Sequence, residues 1–227
     1  MNLFLDTETI PSQTPAHWVW IDQHTKPPAN MSKAETIEKW ERFGRADDVA
    51  KAIRQTSLDA AFGELYCIGL AADDEAPFVL VRRDLSPEAE VSLLREFVEA
   101  VLDLADGTQV NWIGHYLLDF DAPFLARRGY VRGLRFPFAF PWNWHNGAGC
   151  MVDTRRLWTG NLKDHVGLDK LCCALGIECL KGDFDGSKAW DAVQAGEGQK
   201  VCDYCADDVT RTREIWKRLT WNGEVAA

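Results

Sequence analysis

The sequence has no long apolar run and no recognisable export signal. No uninterrupted apolar stretch approaches the roughly 18 residues that a membrane-spanning helix requires. The N-terminus lacks the basic start and the apolar segment of a secretory signal peptide. From these absences we expect a cytoplasmic protein that does not enter a membrane.

The sequence also offers little that predicts a disulfide framework or a zinc site. Its seven cysteines are odd in number, and Cys172 and Cys173 are adjacent, so we expect buried thiols. Cys202 and Cys205 have the spacing of metal ligands, but no second pair of Cys or His residues has matching spacing. A closed zinc site is therefore not expected.

Positive charge is scarce. The chain carries 25 Lys and Arg residues against 35 Asp and Glu residues, which gives a formal net charge of −10. This balance argues against a protein that holds duplex DNA on a broad basic surface. It does not exclude an enzyme that meets phosphates through bound cations, because those cations supply the positive charge.

An apolar strand near the N-terminus ends on two carboxylates. Leu3–Leu5 predicts a buried strand, and Asp6 and Glu8 follow it two positions apart. Side chains at that spacing share one face of a strand, where two carboxylates repel each other unless a cation neutralises them. Mg²⁺ prefers such oxygen ligands. A solvated strand end is the alternative, since Asp73 and Glu75 have the same spacing in a predicted hairpin turn.

The order of predicted elements indicates an α/β protein with a mixed β-sheet flanked by helices. Strands are predicted at 65–70 and 78–81, which form an antiparallel hairpin, and at 109–114. The predicted helices begin at Ser86-Pro87, where Ser is the N-cap, and near Asp119, with others at about 168–175 and 199–219.

We expect all 227 residues to form a single domain with two irregular segments. Residues 12–60 are too short and too polar to build a core, so they predict a helical insertion or lid. Within it we predict a loop over 13–30, a helix that a capping box at Ser32–Glu35 opens and that runs to about Phe43, and a second helical stretch near 46–55. Residues 130–149 are rich in Gly, Pro and aromatic side chains, which predicts a loop.

Further acids follow later strand and helix signals. The segment from Gly114 leads from a strand into a helix start that carries Asp119 and Asp121. Acids also cap helices, so we assign Asp119 as the cap and Asp121 as the functional acid. Tyr204 and Asp208 are four residues apart on the last predicted helix and share a face, although surface pairs of this kind are common.

Taken together, these motifs resemble the DEDD superfamily of 3′–5′ exonucleases. The resemblance rests on Asp-x-Glu after the first strand, Asp-Phe-Asp-x-Pro-Phe-Leu from Asp119, and Tyr-x-x-x-Asp on the C-terminal helix. With Tyr204 four residues before Asp208, the chain resembles the Tyr branch of this superfamily. The histidine branch has His at the position that Asp203 occupies in this sequence. Residues 114–125 and 168–182 are similar to the proofreading exonuclease domain of family B DNA polymerases, although that family often has Asn in place of Tyr116.

The resemblance implies an RNase H-like fold and a site for two divalent metal ions, Mg²⁺ or Mn²⁺. Asp6, Glu8 and Asp208 would hold one ion, and Asp121 would hold the second, with Asp6 as the bridge. Tyr204 would orient the attacking water. Two ions about 4 Å apart stabilise the attacking and leaving oxygens of a phosphoryl displacement. The products would be nucleoside 5′-monophosphates released from a 3′ end.

The expected substrate is single-stranded DNA or a DNA 3′ end. RNA is the alternative substrate, since RNase D-like enzymes share the Tyr branch. A third alternative is an inactive module that binds nucleic acid or docks a partner, although every catalytic position is filled. We expect a stand-alone enzyme or one that works beside a replication or repair protein.

Several residues outside the acid motifs are candidate nucleic-acid contacts. Aromatic side chains in loops can stack on unpaired bases, and arginines after the second motif can contact the phosphate backbone. The alternatives are a solvated basic face for the arginines and packing in the core or in loops for the tryptophans. The candidate contacts are Thr7, Thr9, Trp142, Trp144, Arg127 and Arg128.

Overall fold

The computed structural model describes residues 1–138, 140, 151–160, 165–178 and 184–221. Within these ranges the chain forms five β-strands and nine α-helices. The strands are β1 (Asn2–Ile10), β2 (Glu64–Ala72), β3 (Phe78–Val81), β4 (Asn111–Gly114) and β5 (Met151–Asp153). The helices are α1 (Pro15–His24), α2 (Ala34–Phe43), α3 (Arg45–Gln55), α4 (Pro87–Ala105), α5 (Asp121–Val131), α6 (Thr154–Thr159), α7 (Leu168–Leu175), α8 (Ala189–Gln194) and α9 (Gly198–Thr220).

The strands form one mixed sheet in the order β3-β2-β1-β4-β5. β1 pairs antiparallel with β2 and parallel with β4, and the outer strands continue these directions. The predicted α/β class, with a mixed sheet flanked by helices, is confirmed, and the architecture is consistent with an RNase H-like fold. β1 lies at the centre because its apolar residues can be buried on both faces.

Alternation along β1 assigns its side chains to two different layers. Leu3 and Leu5 belong to a core cluster that includes Phe97 of α4. Phe4 points the other way and meets Trp216 of α9 edge-on, with ring centroids 5.6 Å apart. Asp6 and Glu8 are in phase with Phe4, so they face the layer that contains α9.

The segment 12–60 holds α1, α2 and α3. The prediction of loop over 13–30 is wrong, because α1 occupies Pro15–His24. Pro15 stands in the first turn, where a missing N–H leaves no helical hydrogen bond unmade. The other prolines of this stretch, Pro27 and Pro28, come after the helix has ended.

Arg128 is part of the core and not of the surface. It is fully buried on α5. Its guanidinium pairs with the buried Glu90 of α4 at 2.7 Å and donates to the carbonyl of Ala60 at 3.0 Å. The prediction that Arg128 contacts phosphate is therefore wrong, because its donors are already bound to protein groups. The pair fixes α5 against α4.

No disulfide joins any two of the described cysteines. Four of them are buried, as predicted, whereas Cys173 is exposed on α7. Cys150 and Cys179 lie outside the described residues. Over the part of the chain that the structure describes, no helix has both the length and the apolar composition needed to span a bilayer. The buried thiols are Cys67, Cys172, Cys202 and Cys205.

Candidate active site

Three carboxylates from two elements converge at the end of β1. Asp6 and Glu8 come from the strand and Asp208 from α9, and one carboxylate oxygen of each lies within 4.8 Å of the others. The two strand acids share a face because they are two residues apart. The third arrives because α9 packs across β1 and β2 on that face. Residues 202 positions apart in the chain thus form one cluster.

A glycine on β2 permits this approach of α9 to the sheet. A Cβ atom at Gly69 would lie 2.8 Å from the Cys205 sulfur and 2.9 Å from a Val209 methyl group. Gly69 pairs with Asp6 in the β1–β2 ladder, and the Cys205 thiol lies 3.7 Å from the Asp6 carbonyl oxygen. The contact therefore sets the separation between helix and strand beside the acid cluster.

Asp121 stands at the first position of α5 and is 3% exposed. Its Oδ1 accepts two hydrogen bonds from Thr7, one from the backbone N–H at 3.0 Å and one from Oγ1 at 2.7 Å. Asp121 is not within the three-acid cluster, yet its charge raises the pKa of Asp6 and of Glu8. The structure therefore places it beside the cluster. Thr7, a candidate nucleic-acid contact, supports the Asp121 carboxylate through these two hydrogen bonds.

Burial makes these carboxyls hard to ionise. Burial, followed by the charges of Cys205 and Asp208, raises the pKa of Asp6 well above its usual value. The pKa of Glu8 is raised in the same way, burial again being the main cause. Burial raises the pKa of Asp121 to about 7 and that of Asp208 to about 6. A divalent cation bound among these carboxylates would offset the repulsion between their negative charges.

The fit of such a cation rests on one atom in particular. Oδ2 of Asp6 is buried and has no hydrogen-bond partner among the described residues. A buried, unpaired carboxylate oxygen is costly unless a cation or a proton satisfies it. The surrounding donors are carboxylate oxygens, which Mg²⁺ and Mn²⁺ prefer over nitrogen or sulfur ligands. The donor set therefore fits a hard divalent cation.

Arg211 is a functional neighbour that the sequence reasoning missed. It lies one turn after Asp208 on α9 and pairs with that carboxylate. It also pairs with Asp207 at 2.8 Å and with Asp169 of α7. Its charge lowers the pKa of Asp208 and so opposes the effect of burial. A basic residue three positions after an acid on a helix was the signal available.

Tyr204 is held next to the acids. Burial and the neighbouring carboxylates, Asp208 first among them, raise the pKa of its phenol above the ordinary value. The ring packs against Phe184 at a centroid distance of 5.4 Å, and the Arg211 guanidinium lies 5.8 Å from its centroid. The hydroxyl is therefore protonated at neutral pH, and its hydrogen bond to the Asp208 carboxylate works with Arg211 to lower the pKa of Asp208 against the effect of burial.

The connection between β4 and α5 departs from expectation at Asp119. The N-cap position of α5 is Phe120, so the prediction that Asp119 caps the helix is wrong. Asp119 pairs instead with Arg156 at 2.6 Å and with Arg155 at 3.5 Å. Tyr116, where the similar family often has Asn, has a positive φ of 68°. Asn adopts that conformation more readily than Tyr, which gives the family preference a physical basis.

The remaining candidate nucleic-acid contacts lie in different surroundings. Thr9 donates from Oγ1 to the Ser57 carbonyl at 2.6 Å and lines a cavity beside Glu8. Arg127 is exposed on α5. Trp142 and Trp144 lie outside the described residues.

Comparison with known proteins agrees with this arrangement. The chain matches a family described as a predicted 3′-5′ exonuclease related to the exonuclease domain of PolB, over residues 65–225. It therefore belongs to that family and is a nuclease. No curated protein matches the chain.

Proposed function

We propose that this protein is a divalent-metal-dependent exonuclease that removes nucleoside 5′-monophosphates from the 3′ end of single-stranded DNA. Membership of the exonuclease family supports the reaction class. The observation that carries the metal requirement is the convergence of three carboxylates at a buried, unpartnered oxygen of Asp6. RNA is the alternative substrate, and the test below includes it.

The three-acid cluster supports the ligands proposed for one ion, and the resemblance to the exonuclease superfamily suggests those for the other. Asp6, Glu8 and Asp208 would hold one Mg²⁺ or Mn²⁺ ion, and Asp6 together with Asp121 would hold the other. When bound, the ions supply positive charge that lowers the pKa of water and stabilises the oxygens of the attacked phosphate. All of these acids must be ionised to bind cations, so binding competes with protons at the raised pKa values of Asp121 and Asp208.

The chain's own groups then position the reactants. Tyr204 stays protonated, because burial and the nearby carboxylates raise its pKa. It therefore orients the attacking water by hydrogen bonding and does not act as the base. Arg211 pairs with the Asp208 carboxylate, and the Thr7 hydroxyl donates to that of Asp121. The backbone of β1 and the two helices thus fix all four acids before substrate arrives.

The test uses single-stranded DNA and RNA oligonucleotides of one sequence, labelled at the 5′ end, with Mg²⁺, Mn²⁺ or EDTA. The wild type is expected to give a ladder that shortens from the 3′ end only when metal is present. Asp208→Asn should lower the rate more than about 100-fold, because even the supporting residues of metal ligands are worth about 10–100-fold. Asp203→Asn is the matched control, since Asp203 is exposed on the same helix.

Two results would contradict the proposal. One is an absence of shortening on both DNA and RNA with either metal. The other is Asp208→Asn protein that is folded and fully active. If neither DNA nor RNA is shortened, a Mn²⁺ titration followed by thermal unfolding tests whether the acid cluster binds metal at all. An inactive docking module would show no rise in Tm, whereas metal bound to the acid cluster stabilises the native state.

A further inference from the structure

A cavity of about 520 Å³ opens beside Glu8, next to the acid cluster. One side is the end of β1, and the opposite sides are α3 and the start of α8, with the turn Gly186–Lys188 before it. Its size is within the roughly 300–1,000 Å³ that small-ligand sites occupy in proteins. The mechanism above gives no role to α3, although α3 forms a wall of this cavity.

Hydrogen bonds and an ion pair fix α3 in this place. Thr9 donates to the Ser57 carbonyl at 2.6 Å, which connects β1 to the turn Thr56–Leu58 directly after α3. Arg54 of α3 pairs with both carboxylate oxygens of Asp191 in α8, at 2.7 and 2.6 Å. It also donates to the Ser187 carbonyl at 3.4 Å. The wall is thus connected to both neighbouring sides of the cavity.

Lys51 supplies the cavity with positive charge. It is exposed on α3, lines the cavity, and has no ion pair or hydrogen bond to any residue that the structure describes. Arg54, the other cation of this wall, is already paired with Asp191. A polyanion that approaches Glu8 meets several carboxylates, so a cation beside its path lowers the electrostatic barrier to approach.

The cavity also presents apolar surface to solvent. Leu58, in the turn Thr56–Leu58 that follows α3, is 71% exposed although its side chain is large and apolar. Trp190 of α8 lines the cavity as well and is partly buried. Single-stranded nucleic acids are held by this combination of a cation for the backbone and apolar faces for the bases.

We propose that α3 and the turn that follows it, Thr56–Leu58, form a binding wall for the last nucleotides of a single-stranded nucleic acid, with Lys51 of α3 contacting a backbone phosphate and Leu58 of the turn packing against a base or sugar. This assignment rests on the proposed function. The family match covers residues 65–225, so this wall comes from the part of the chain outside it. The segment 12–60 therefore contributes to substrate binding beside the acid cluster.

The first experiment measures the contribution of Lys51 as a phosphate contact. Kd for a fluorescein-labelled 20-nucleotide single-stranded DNA is measured by anisotropy with Mn²⁺ in the Asp208→Asn background, over a series of NaCl concentrations. Lys51→Ala is expected to weaken binding roughly threefold. It should also reduce the slope of log Kd against log salt by about 0.7, the value for one phosphate contact on a single strand.

Matched variants separate a phosphate contact from a structural effect. Lys39→Ala, at an exposed lysine of α2 that does not line the cavity, should bind like its parent. Lys51→Arg should restore both the affinity and the salt slope, because the charge is kept. In the otherwise wild-type enzyme, Lys51→Ala should raise KM and leave kcat within a factor of two.

The second experiment probes the apolar part of the wall. Leu58→Ala is expected to raise Kd about threefold through lost apolar contact, with the salt slope unchanged. Leu102→Ala is the control, since Leu102 is 50% exposed on α4 and does not line the cavity. The salt slope therefore distinguishes the contribution of Leu58 from that of Lys51.

The outcomes separate this inference from the proposed function. If the wild type shortens oligonucleotides but Lys51→Ala and Lys39→Ala bind alike at every salt concentration, the inference is overturned and the function stands. If the wild type cleaves nothing, yet Lys51→Ala lowers both affinity and salt slope, α3 is a nucleic-acid-binding wall without the proposed reaction. If the wild type neither binds nor cleaves DNA or RNA, both are overturned.

Discussion

Thr7 directs both of its hydrogen-bond donors to the same oxygen of Asp121. The backbone N–H lies 3.0 Å and the hydroxyl 2.7 Å from Oδ1. Because Thr7 stands between Asp6 and Glu8 on β1, one strand positions acids on both of its faces. The orientation of the Asp121 carboxylate therefore depends on a residue that carries no charge.

This relationship predicts the behaviour of two substitutions at residue 7. Thr7→Val keeps the shape and the backbone donor but removes the hydroxyl, so we expect about a 10–100-fold loss of nuclease activity, as for other supports of metal ligands. Thr7→Ser keeps the hydroxyl and should retain most of the activity. Steady-state rates on a labelled oligonucleotide check this. Equal activity of the two variants would show that the hydroxyl does not support Asp121.

Tyr204→Phe tests the role of the phenol. The substitution keeps the ring that packs against Phe184 and removes only the hydroxyl. We expect kcat to fall roughly 10- to 100-fold through poorer orientation of the attacking water, with a smaller loss than in Asp208→Asn. Because the pKa of Tyr204 is raised, the phenol does not titrate below pH 9 and the alkaline limb of the pH–rate profile should not change. A profile that shifts in Tyr204→Phe would mean that the phenol titrates in this range.

The raised carboxyl pKa values predict how the metal-free protein responds to pH. Asp121 and Asp208 have pKa values of about 7 and about 6 when folded, against an unfolded value near 4. The folded state therefore binds more protons, and the stability from these groups is present below pH 4 and is lost as pH rises to about 7. In EDTA, we expect Tm to fall more between pH 5 and 8 in the wild type than in Asp208→Asn.

The comparison with Asp208→Asn is needed because other groups act in the opposite direction. Burial lowers the pKa of His115, so that residue adds stability as pH rises. The difference between wild type and variant isolates the carboxyl, and each kcal/mol corresponds to about 2–4 °C for a chain of this size. Parallel curves for the two proteins would contradict the raised pKa of Asp208. Added Mn²⁺ should raise Tm more at pH 8 than at pH 5.

Gly69→Ala tests whether packing between helix and strand controls the acid cluster. The new Cβ would lie 2.8 Å from the Cys205 sulfur, so α9 or β2 must shift. We expect a loss of about 1–3 kcal/mol of stability, measured by denaturant unfolding, and a weaker Mn²⁺ affinity. Gly167→Ala, where nothing lies within 4 Å of the added atom, is the control. If Gly69→Ala is destabilised but binds Mn²⁺ as tightly as the wild type, the packing of α9 against β2 does not control the acid cluster.

Local signals in the sequence predicted much of the sheet. The predictions of β1 and of the hairpin formed by β2 and β3 are confirmed, because strand periodicity and turn residues are signals contained within a few consecutive positions. Ser86 caps α4 as predicted, accepting from the Ala89 N–H at 3.2 Å. The loop prediction over 13–30 was wrong because prolines were read as breaks regardless of their place relative to a helix.

Contacts between distant residues were not accessible in this way. The sequence predicts Arg128 as part of a basic surface, because nothing near it in the chain indicates that it pairs in the core with Glu90, 38 residues earlier. The separations among Asp6, Glu8 and Asp208 likewise depend on how α9 crosses the sheet. The sequence named these acids through a resemblance of motifs, and only the structure places them within 4.8 Å. Arg211 carried no motif and was missed.

The central position of β1 has a consequence for protein engineering. The family match begins at residue 65, but β1, which lies before it, separates β2 from β4 in the sheet. A fragment trimmed to residues 65–225 would expose two unpaired strand edges and a bare core, a state that favours aggregation. It would also lack two of the three clustered acids. Expression trials designed on the homologous region alone would therefore fail by misfolding, and their inactivity would say nothing about the enzyme.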